Sequence, residues 1–567
     1  MILWRHYLVV AGFLTMTVGL AGRVVYLGVT ERDFLQEQGD ARSVRHEVIP
    51  AMRGVITDRH GEPLAVSTPV YAVWADPSKA QFTAENLTDL AAVLDLPVDR
   101  IKKRLARYAN KEFVYLKRRM SYSDASVLRS KHIGHVYLQP EYRRYYPAAE
   151  TTAHVVGLTN LDDNGIEGIE YAHDERLRGA QGGKVVLKDL RGNTIRDLEY
   201  KGAAIYGQDL ELSLDLSLQF TAYRELKSAI AAHQAKAGSI VIADVKTGEI
   251  LSLVNQPSYN PNDVAGELMG MRNRAVTDAY EPGSTIKPFT AIAALESGRY
   301  DARTPMDTSP GYFRIGRKLI QDPVNYGVIT LSKAISKSSQ VVFARIAQDL
   351  PDDSVFDVLK RARVGEPPGT GLPGEASGYI DASQLRYPVV KAALAYGYGL
   401  SVTPLQLTQA YLTLATHGVY RPLSIVKTNG RQSGERVFDE SITREVVAMM
   451  ETVTDPGGTA TAARVAGYRV AGKTGTARMV GPEGYDDQRH AAWFAGVVPV
   501  SDPRLVVVVL INEPAAGVSG GGAVAAPVFS RVAQRTLPLL GIEPDDVQAD
   551  EQLSAQLDLS SLPGGRP

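Results

Sequence analysis

The segment Glu281-Pro282-Gly283-Ser284-Thr285-Ile286-Lys287 restricts this chain more than any other, because it has to be a turn that feeds a helix. Glu281-Pro282-Gly283 reads as the turn, and Ile286, Phe289, Ile292 and Leu295 then recur with helical spacing until Gly298 stops the run. Pro288 agrees with that start, since proline is tolerated in a first turn and breaks an interior one. Ser284 is thereby placed at a helix start, with Lys287 on the same face at roughly 5–6 Å between Cβ atoms. Exposed N–H groups and the positive end of the helix dipole there favour an anionic, tetrahedral intermediate.

A serine hydroxyl keeps its proton at neutral pH and needs a base within reach before it attacks. Lys287 is the candidate base, provided that something favours its neutral form. A second ammonium nearby, together with partial burial, would do so, and Lys473 is the candidate. It lies on the first strand of a predicted three-stranded antiparallel meander: Tyr468–Val480, His490–Val500, the turn Ser501-Asp502-Pro503, and Arg504–Ile511. Gly475 is read as omitting a side chain where a substrate backbone comes close. Each motif alone has a plainer reading. Ser-x-x-Lys arises by chance, Ser338 would N-cap a helix over Val341–Leu350, and Lys473-Thr474-Gly475 would be a strand end.

Order and local context favour one site instead. Ser284-Thr285-Ile286-Lys287, Ser338-Ser339-Gln340 and Lys473-Thr474-Gly475-Thr476 resemble, in that order, the three motifs of penicillin-binding proteins and serine β-lactamases. Arg53-Gly54-Val55-Ile56-Thr57-Asp58-Arg59, Gly165-Ile166-Glu167-Gly168-Ile169-Glu170 and Tyr396-Gly397-Tyr398-Gly399-Leu400-Ser401-Val402-Thr403-Pro404 extend the likeness to class B penicillin-binding proteins, in particular the septal, FtsI-type peptidoglycan transpeptidases of Gram-negative bacteria. The resemblance implies catalytic roles for Ser284, Lys287, Ser338 as proton relay, and Lys473. It implies an oxyanion hole from the N–H groups of Ser284 and Thr476, and substrate binding by Gln340, Thr474, Gly475 and Thr476. Tyr396 and Tyr398 read as core or rim aromatics as readily as substrate contacts, with Arg478 as a further rim residue. The implied substrates are peptidoglycan stem peptides, with β-lactam antibiotics as trapping mimics and no metal or other cofactor. A membrane glycosyltransferase of the FtsW type and other division proteins are the implied partners. The same trio would serve a D,D-carboxypeptidase or a β-lactamase-like hydrolase, and a catalytically weak scaffold or sensor is the third reading.

Two departures stand out. Gln340 occupies a position where the family carries Asn, one methylene shorter with the same amide. Val518-Ser519-Gly520-Gly521-Gly522 lacks the aromatic residues that septal relatives often place there, so it reads either as a pocket missing one wall or as a flexible Gly-rich turn.

The 567 residues exceed one core and predict two or more domains. With 62 basic and 63 acidic residues, and with neither a basic stripe nor a phosphate loop, the chain offers nucleic acid no footprint. It has no cysteine and so no disulfides. Tyr7–Val29 is apolar apart from Arg23, long enough to cross a bilayer, and preceded by Arg5; a cleaved signal peptide is the competing reading, against which Ala21-Gly22-Arg23 is a poor cleavage site. The expected organisation is α+β: a cytoplasmic stub and single inner-membrane anchor over 1–30, a non-catalytic pedestal over 41–204, a periplasmic transpeptidase domain over 207–540 with a sheet flanked by helices, and a disordered tail over 545–567. That domain should open with the hairpin Ala237–Val245 and Ile250–Val254, closed by Lys246-Thr247-Gly248.

Overall fold

The structure, a computed structural model, describes residues 3–188, 194–264, 270–428, 430, 432–481 and 484–546. The chain folds as two units, Met1–Gly54 with Ser67–Arg143 and Arg178–Gln208, and Val55–Val66 with Arg144–Leu177 and Asp209–Pro567. Residues 55–66 and 144–177, inside the stretch read as pedestal, thus belong to the second unit.

The first unit begins with helix α1 (Leu3–Val29), which runs through Arg23 without a break. Trp4–Val29 is long and apolar enough to span a bilayer, at about 39 Å against a hydrocarbon core of about 30 Å. Strands β1 (Val44–Ile49), β5 (Gly182–Lys188) and β6 (Thr194–Gly202) form an antiparallel sheet in that order. A second sheet joins β2 (Pro63–Ala75, of this unit from Ser67), β3 (Val114–Met120) and β4 (Val136–Tyr145). Three helices accompany it: α2 (Ala84–Leu94), α3 (Val98–Arg107) and α4 (Tyr122–Ser130). Helix α2 starts at a capping box on Thr83, and α3 starts behind Pro97. Val73, Leu87, Leu90, Leu94, Ile101, Leu116 and Leu128 form the small core.

The second unit is built on a five-stranded antiparallel sheet of β7 (Ala237–Asp244), β8 (Ile250–Gln256), β9 (Ala471–Gly481), β10 (Gly484–Val498) and β11 (Leu505–Asn512), in the order β8-β7-β11-β10-β9. The expected hairpin is β7–β8. Its turn forms because the Asp244 carboxylate accepts from the N–H groups of Lys246 and Thr247, both at 2.8 Å, while Gly248 takes a φ of 79°. Every residue of β7, β8 and β11 is buried, so both faces of the sheet are covered, as the unbroken run Val506–Val509 demands. Helices α5 (Leu216–Ala232), α6 (Lys287–Glu296), α7 (Leu331–Lys337), α8 (Gln340–Asp349), α9 (Pro404–Ala415) and α10 (Ala526–Leu539) complete the layers. All of α9 is buried.

The meander forms with its strand ends shifted, and the largest shift is at the start of β10. Strand β10 begins at Gly484 rather than His490, because Gly484–Asp486 pair with Met479–Gly481 beyond a register shift at Arg478/Met479 that leaves residues 487–489 without a partner in the ladder. At the C-terminus, Asp545 is bound into the fold: its carboxylate accepts from the N–H of Arg469 at 2.7 Å and of Ser501 at 3.0 Å. The rest of the expected tail, 547–567, lies outside the described residues.

Candidate active site

Ser284 sits one step before the α-helix proper. Gly283–Ile286 is a 3₁₀ turn, and α6 follows from Lys287 with Pro288 in its first turn. Gly283 takes a φ of 53°, and its N–H donates to Gly397 O at 3.0 Å. A Cβ on Gly397 would fall 1.8 Å from Gly283 O, so the glycine of Tyr396-Gly397-Tyr398-Gly399 is what lets that loop support the nucleophile turn. From the other sides, Trp493 Nε1 donates to Glu281 O at 3.1 Å and the Tyr411 hydroxyl to Thr285 O at 2.8 Å. Ser284 itself is half-buried, and among the described residues its hydroxyl forms no hydrogen bond.

Lys287 is fully buried, and its Nζ donates to Ser338 O at 2.5 Å and Ser338 Oγ at 3.1 Å. The Phe343 ring centroid lies 5.6 Å from the same nitrogen. Burial brings the Lys287 amine down to about 7, against an opposing pull from the Asp322 carboxylate. This corrects the sequence expectation, which gave the main part to a second ammonium. The like charge acts in the other direction: Lys473, also fully buried, is held well below its usual range by burial first and by Lys287 second.

Ser338 has a φ of 59° between α7 and α8, a left-handed conformation that leaves its side chain to Lys287. The N-cap of α8 is Ser339, whose Oγ accepts from Val342 N–H at 3.1 Å, so the reading of Ser338 as a mere cap does not hold. Gln340 is the first residue of α8; its N–H is bound by Asp322, and among the described residues its half-buried side chain forms no hydrogen bond.

On β9, Lys473 Nζ lies 3.3 Å from Thr474 O and 3.4 Å from Thr474 Oγ1, and Thr474 Oγ1 reaches Thr459 Oγ1 at 3.2 Å. Gly475 is needed for a reason the sequence reading missed. A Cβ there would meet Pro282 O at 2.5 Å and Thr285 Cγ2 at 2.9 Å, so the close approach is that of the nucleophile turn itself. Thr476 Oγ1 accepts from Gly521 N–H at 3.0 Å. The segment read as a flexible glycine turn is wedged in place: a Cβ on Gly521 would fall 2.2 Å from Trp493 O and 2.4 Å from Gly475 O.

At the rim, Tyr396 is buried, while the Tyr398 ring lies 5.8 Å from both Tyr396 and Tyr485. Arg478 pairs with Asp487 at 2.6 Å and stands 5.4 Å from the Tyr485 ring. Glu281, read from sequence only as part of a turn, gathers this rim. Its Oε1 accepts from Gly399 N–H at 2.8 Å and from the Tyr485 hydroxyl at 2.9 Å, and burial pushes its carboxyl up. Asp322, Thr459 and Tyr485 were not found from sequence, since none stands in a motif or a periodic run, and Glu281 was given no role beyond the turn.

Residues 238–534 match the model of the penicillin binding protein transpeptidase domain, and residues 48–212 that of the penicillin-binding protein dimerisation domain. The chain belongs to the class B penicillin-binding proteins. Among relatives of this family it is 41% identical over 569 residues to the peptidoglycan D,D-transpeptidase FtsI of Escherichia coli, covering 99% of this chain and 96% of the relative. It is 38% identical over 546 residues to the probable peptidoglycan D,D-transpeptidase PbpC of Pseudomonas aeruginosa, covering 96% and 97%. Among solved class B structures, penicillin-binding protein 3 of Mycobacterium tuberculosis complexed with aztreonam superposes with a TM-score of 0.68 at 26% identity, over 88% of this chain and 98% of that one. The transpeptidase domain of penicillin-binding protein 3 from Burkholderia pseudomallei is 38% identical, with a TM-score of 0.54 over 59% of this chain and 97% of that one.

Proposed function

We propose that this class B penicillin-binding protein cross-links peptidoglycan during septal cell-wall synthesis, as a D,D-transpeptidase that works through an acyl-enzyme on Ser284. The observation that carries the mechanism is the buried Lys287 amine, close to neutral at physiological pH, in hydrogen-bond contact with Ser338. Ser284 Oγ attacks the carbonyl carbon of the penultimate D-Ala of a donor stem, and its proton passes to Lys287. The N–H groups of Ser284 and Thr476 take the developing oxyanion. As the tetrahedral intermediate collapses, the C–N bond to the terminal D-Ala breaks, and that amine leaves with a proton delivered from Lys287 through Ser338. An amine of a neighbouring stem then attacks the ester, loses a proton along the same route, and returns Ser284 to its hydroxyl form.

Lys473, Thr474 and Thr476 hold the terminal carboxylate of the donor, Gln340 meets its backbone, and Tyr396, Tyr398 and Arg478 border the cleft. A β-lactam presents the same carbonyl and carboxylate, and its opened ring stays attached to Ser284. Residues 1–30 hold the protein in the inner membrane with the N-terminus in the cytoplasm; a pedestal over 41–204 and the transpeptidase domain over 207–540 stand in the periplasm. A glycosyltransferase of the FtsW type, acting with other division proteins, supplies the glycan strands.

The test separates transfer from hydrolysis. A thioester analogue of the donor stem is offered with a D-amino acid as acceptor, and products are resolved by mass. Aminolysis that rises with acceptor concentration supports a transpeptidase, whereas release of free acid alone supports the hydrolase reading.

A further inference from the structure

Asp322 is a nearly fully buried carboxylate, 2% exposed, directly after the short strand Lys318–Gln321. Its Oδ2 accepts from Ser339 Oγ at 2.5 Å, and its Oδ1 from the N–H groups of Gln340 at 2.6 Å and Val341 at 3.2 Å. Its own N–H is fixed on Gly311 O at 3.0 Å. Among the described residues no cationic side chain forms an ion pair with it. The anion is stabilised instead by three donors at the N-terminus of the ten-residue helix α8, where the dipole favours negative charge.

All three donors belong to Ser339, Gln340 and Val341, next in sequence to Ser338, on which the Lys287 amine rests. The charged groups that face Lys287 are Asp322, from the loop before α7, and Lys473, from β9; Ser338 and the Phe343 ring are its polar and aromatic neighbours. Among the described residues Asp322 is thus the one anion acting on the Lys287 amine, and it binds the segment carrying the proton relay.

We propose that Asp322 is a positioning residue for acylation with two linked tasks: it fixes the Ser338–Gln340 turn at the start of α8, and its charge acts on the Lys287 amine that faces this turn. The first task is geometric. Without the three bonds, Ser338 loses its placement against the Lys287 amine, and a displacement of about 1 Å in such a group costs on the order of 10²-fold in rate. The second task is electrostatic. Burial lowers both lysines, and the carboxylate of Asp322 raises the pH at which Lys287 sheds its proton. The charge therefore keeps Lys287 able to hold the proton that the leaving amine needs, at the pH where the enzyme works. The proposal rests on Lys287 being the base.

The test is the pH profile of acylation by a penicillin between about pH 5 and 9, measured on the full chain in detergent. Since the neutral amine is the base, the wild-type rate should climb through about 7 and level off above it. Asp322→Asn keeps an acceptor oxygen for Gln340 and Val341 but removes the charge, so the midpoint of that limb should move to lower pH by about one unit or more, with a lower plateau. Ser339→Ala keeps the charge and removes one bond, so it should lower the plateau and leave the midpoint in place. Asp322→Glu likewise keeps the charge and disturbs the geometry; it should retain the wild-type midpoint, and it decides the matter should Asp322→Asn not fold. A midpoint unmoved in Asp322→Asn, or moved down in Asp322→Glu, overturns the electrostatic task. A wild-type plateau in both Ser339→Ala and Asp322→Glu overturns the geometric one. A wild-type profile with no limb at all overturns Lys287 as the base, and this proposal with it.

Discussion

Replacing Gly475 with alanine tests how the nucleophile is held, and its size can be worked from the structure. The new methyl carbon would stand 2.5 Å from Pro282 O, 2.9 Å from Thr285 Cγ2 and 3.2 Å from Trp493 Cβ. A carbon and a carbonyl oxygen settle at about 3.3 Å or more, so roughly 0.8 Å of separation has to be found. Strand β9 cannot supply it, because β10 pairs with it at Trp493, a residue with no exposed surface. The turn that carries Ser284 has to give way. A displacement close to 1 Å at the reacting atom lowers the acylation rate on the order of 10²-fold. Overpacking of this kind costs about 1–3 kcal/mol, which lowers the melting temperature by a few degrees. The assay is stopped-flow acylation with a chromogenic or fluorescent penicillin, resolved into the dissociation constant of the initial complex and the first-order acylation step. The loss should fall on the first-order step. A loss confined to initial binding would return Gly475 to the role of admitting substrate, and an acylation step within threefold of wild type would refute the argument.

Lys287→Ala should lower acylation by about 10²–10⁴-fold while the melting transition is kept, which calorimetry beside the kinetic assay will check. Wild-type acylation should rise as pH passes through about 7 and stay level above it, because burial makes the amine lose its proton there; rates independent of pH between 6 and 9 would contradict this. Gln340→Asn should raise the acylation rate severalfold with little change in melting temperature, since a shorter amide at the first residue of α8 restores the reach that the family uses; equal rates with several β-lactams would mean that the side chain takes no part in positioning. Tyr485→Phe, which removes the hydroxyl on Glu281, should slow acylation a few-fold through a looser hold on the residue that leads into the nucleophile turn, and no change would assign this hydrogen bond no such part.

The sequence made legible whatever is local. The helix after Ser284, the meander that carries Lys473 and the β7–β8 hairpin all show their periods and turn residues directly, and the structure has them within a few residues. What stayed hidden depends on tertiary approach. Asp322 is one acidic residue after a short strand, and nothing in its neighbourhood tells that it accepts from the first N–H groups of α8. Gly475 was read against an absent substrate and Gly397 only as part of a motif, whereas both are required by carbonyls of residues 282 and 283, far away in the chain. The polar segment 484–489 carries no strand alternation, and only the pairing of Gly484–Asp486 with β9 makes it part of β10. Burial explains why the cause of the Lys287 shift was misjudged: motif spacing can bring two lysines together, but it says nothing of how completely the protein closes over them.

The central claim is that Ser284 forms the covalent intermediate with Lys287 as its base. Intact-mass spectrometry of the purified chain after incubation with a penicillin tests it most directly, with the adduct then located by peptide mapping. Wild-type protein should gain the mass of one opened penicillin, released slowly and found on the peptide containing Ser284, and Ser284→Ala should gain none. No adduct on wild-type protein, or an adduct that persists in Ser284→Ala, would contradict the account.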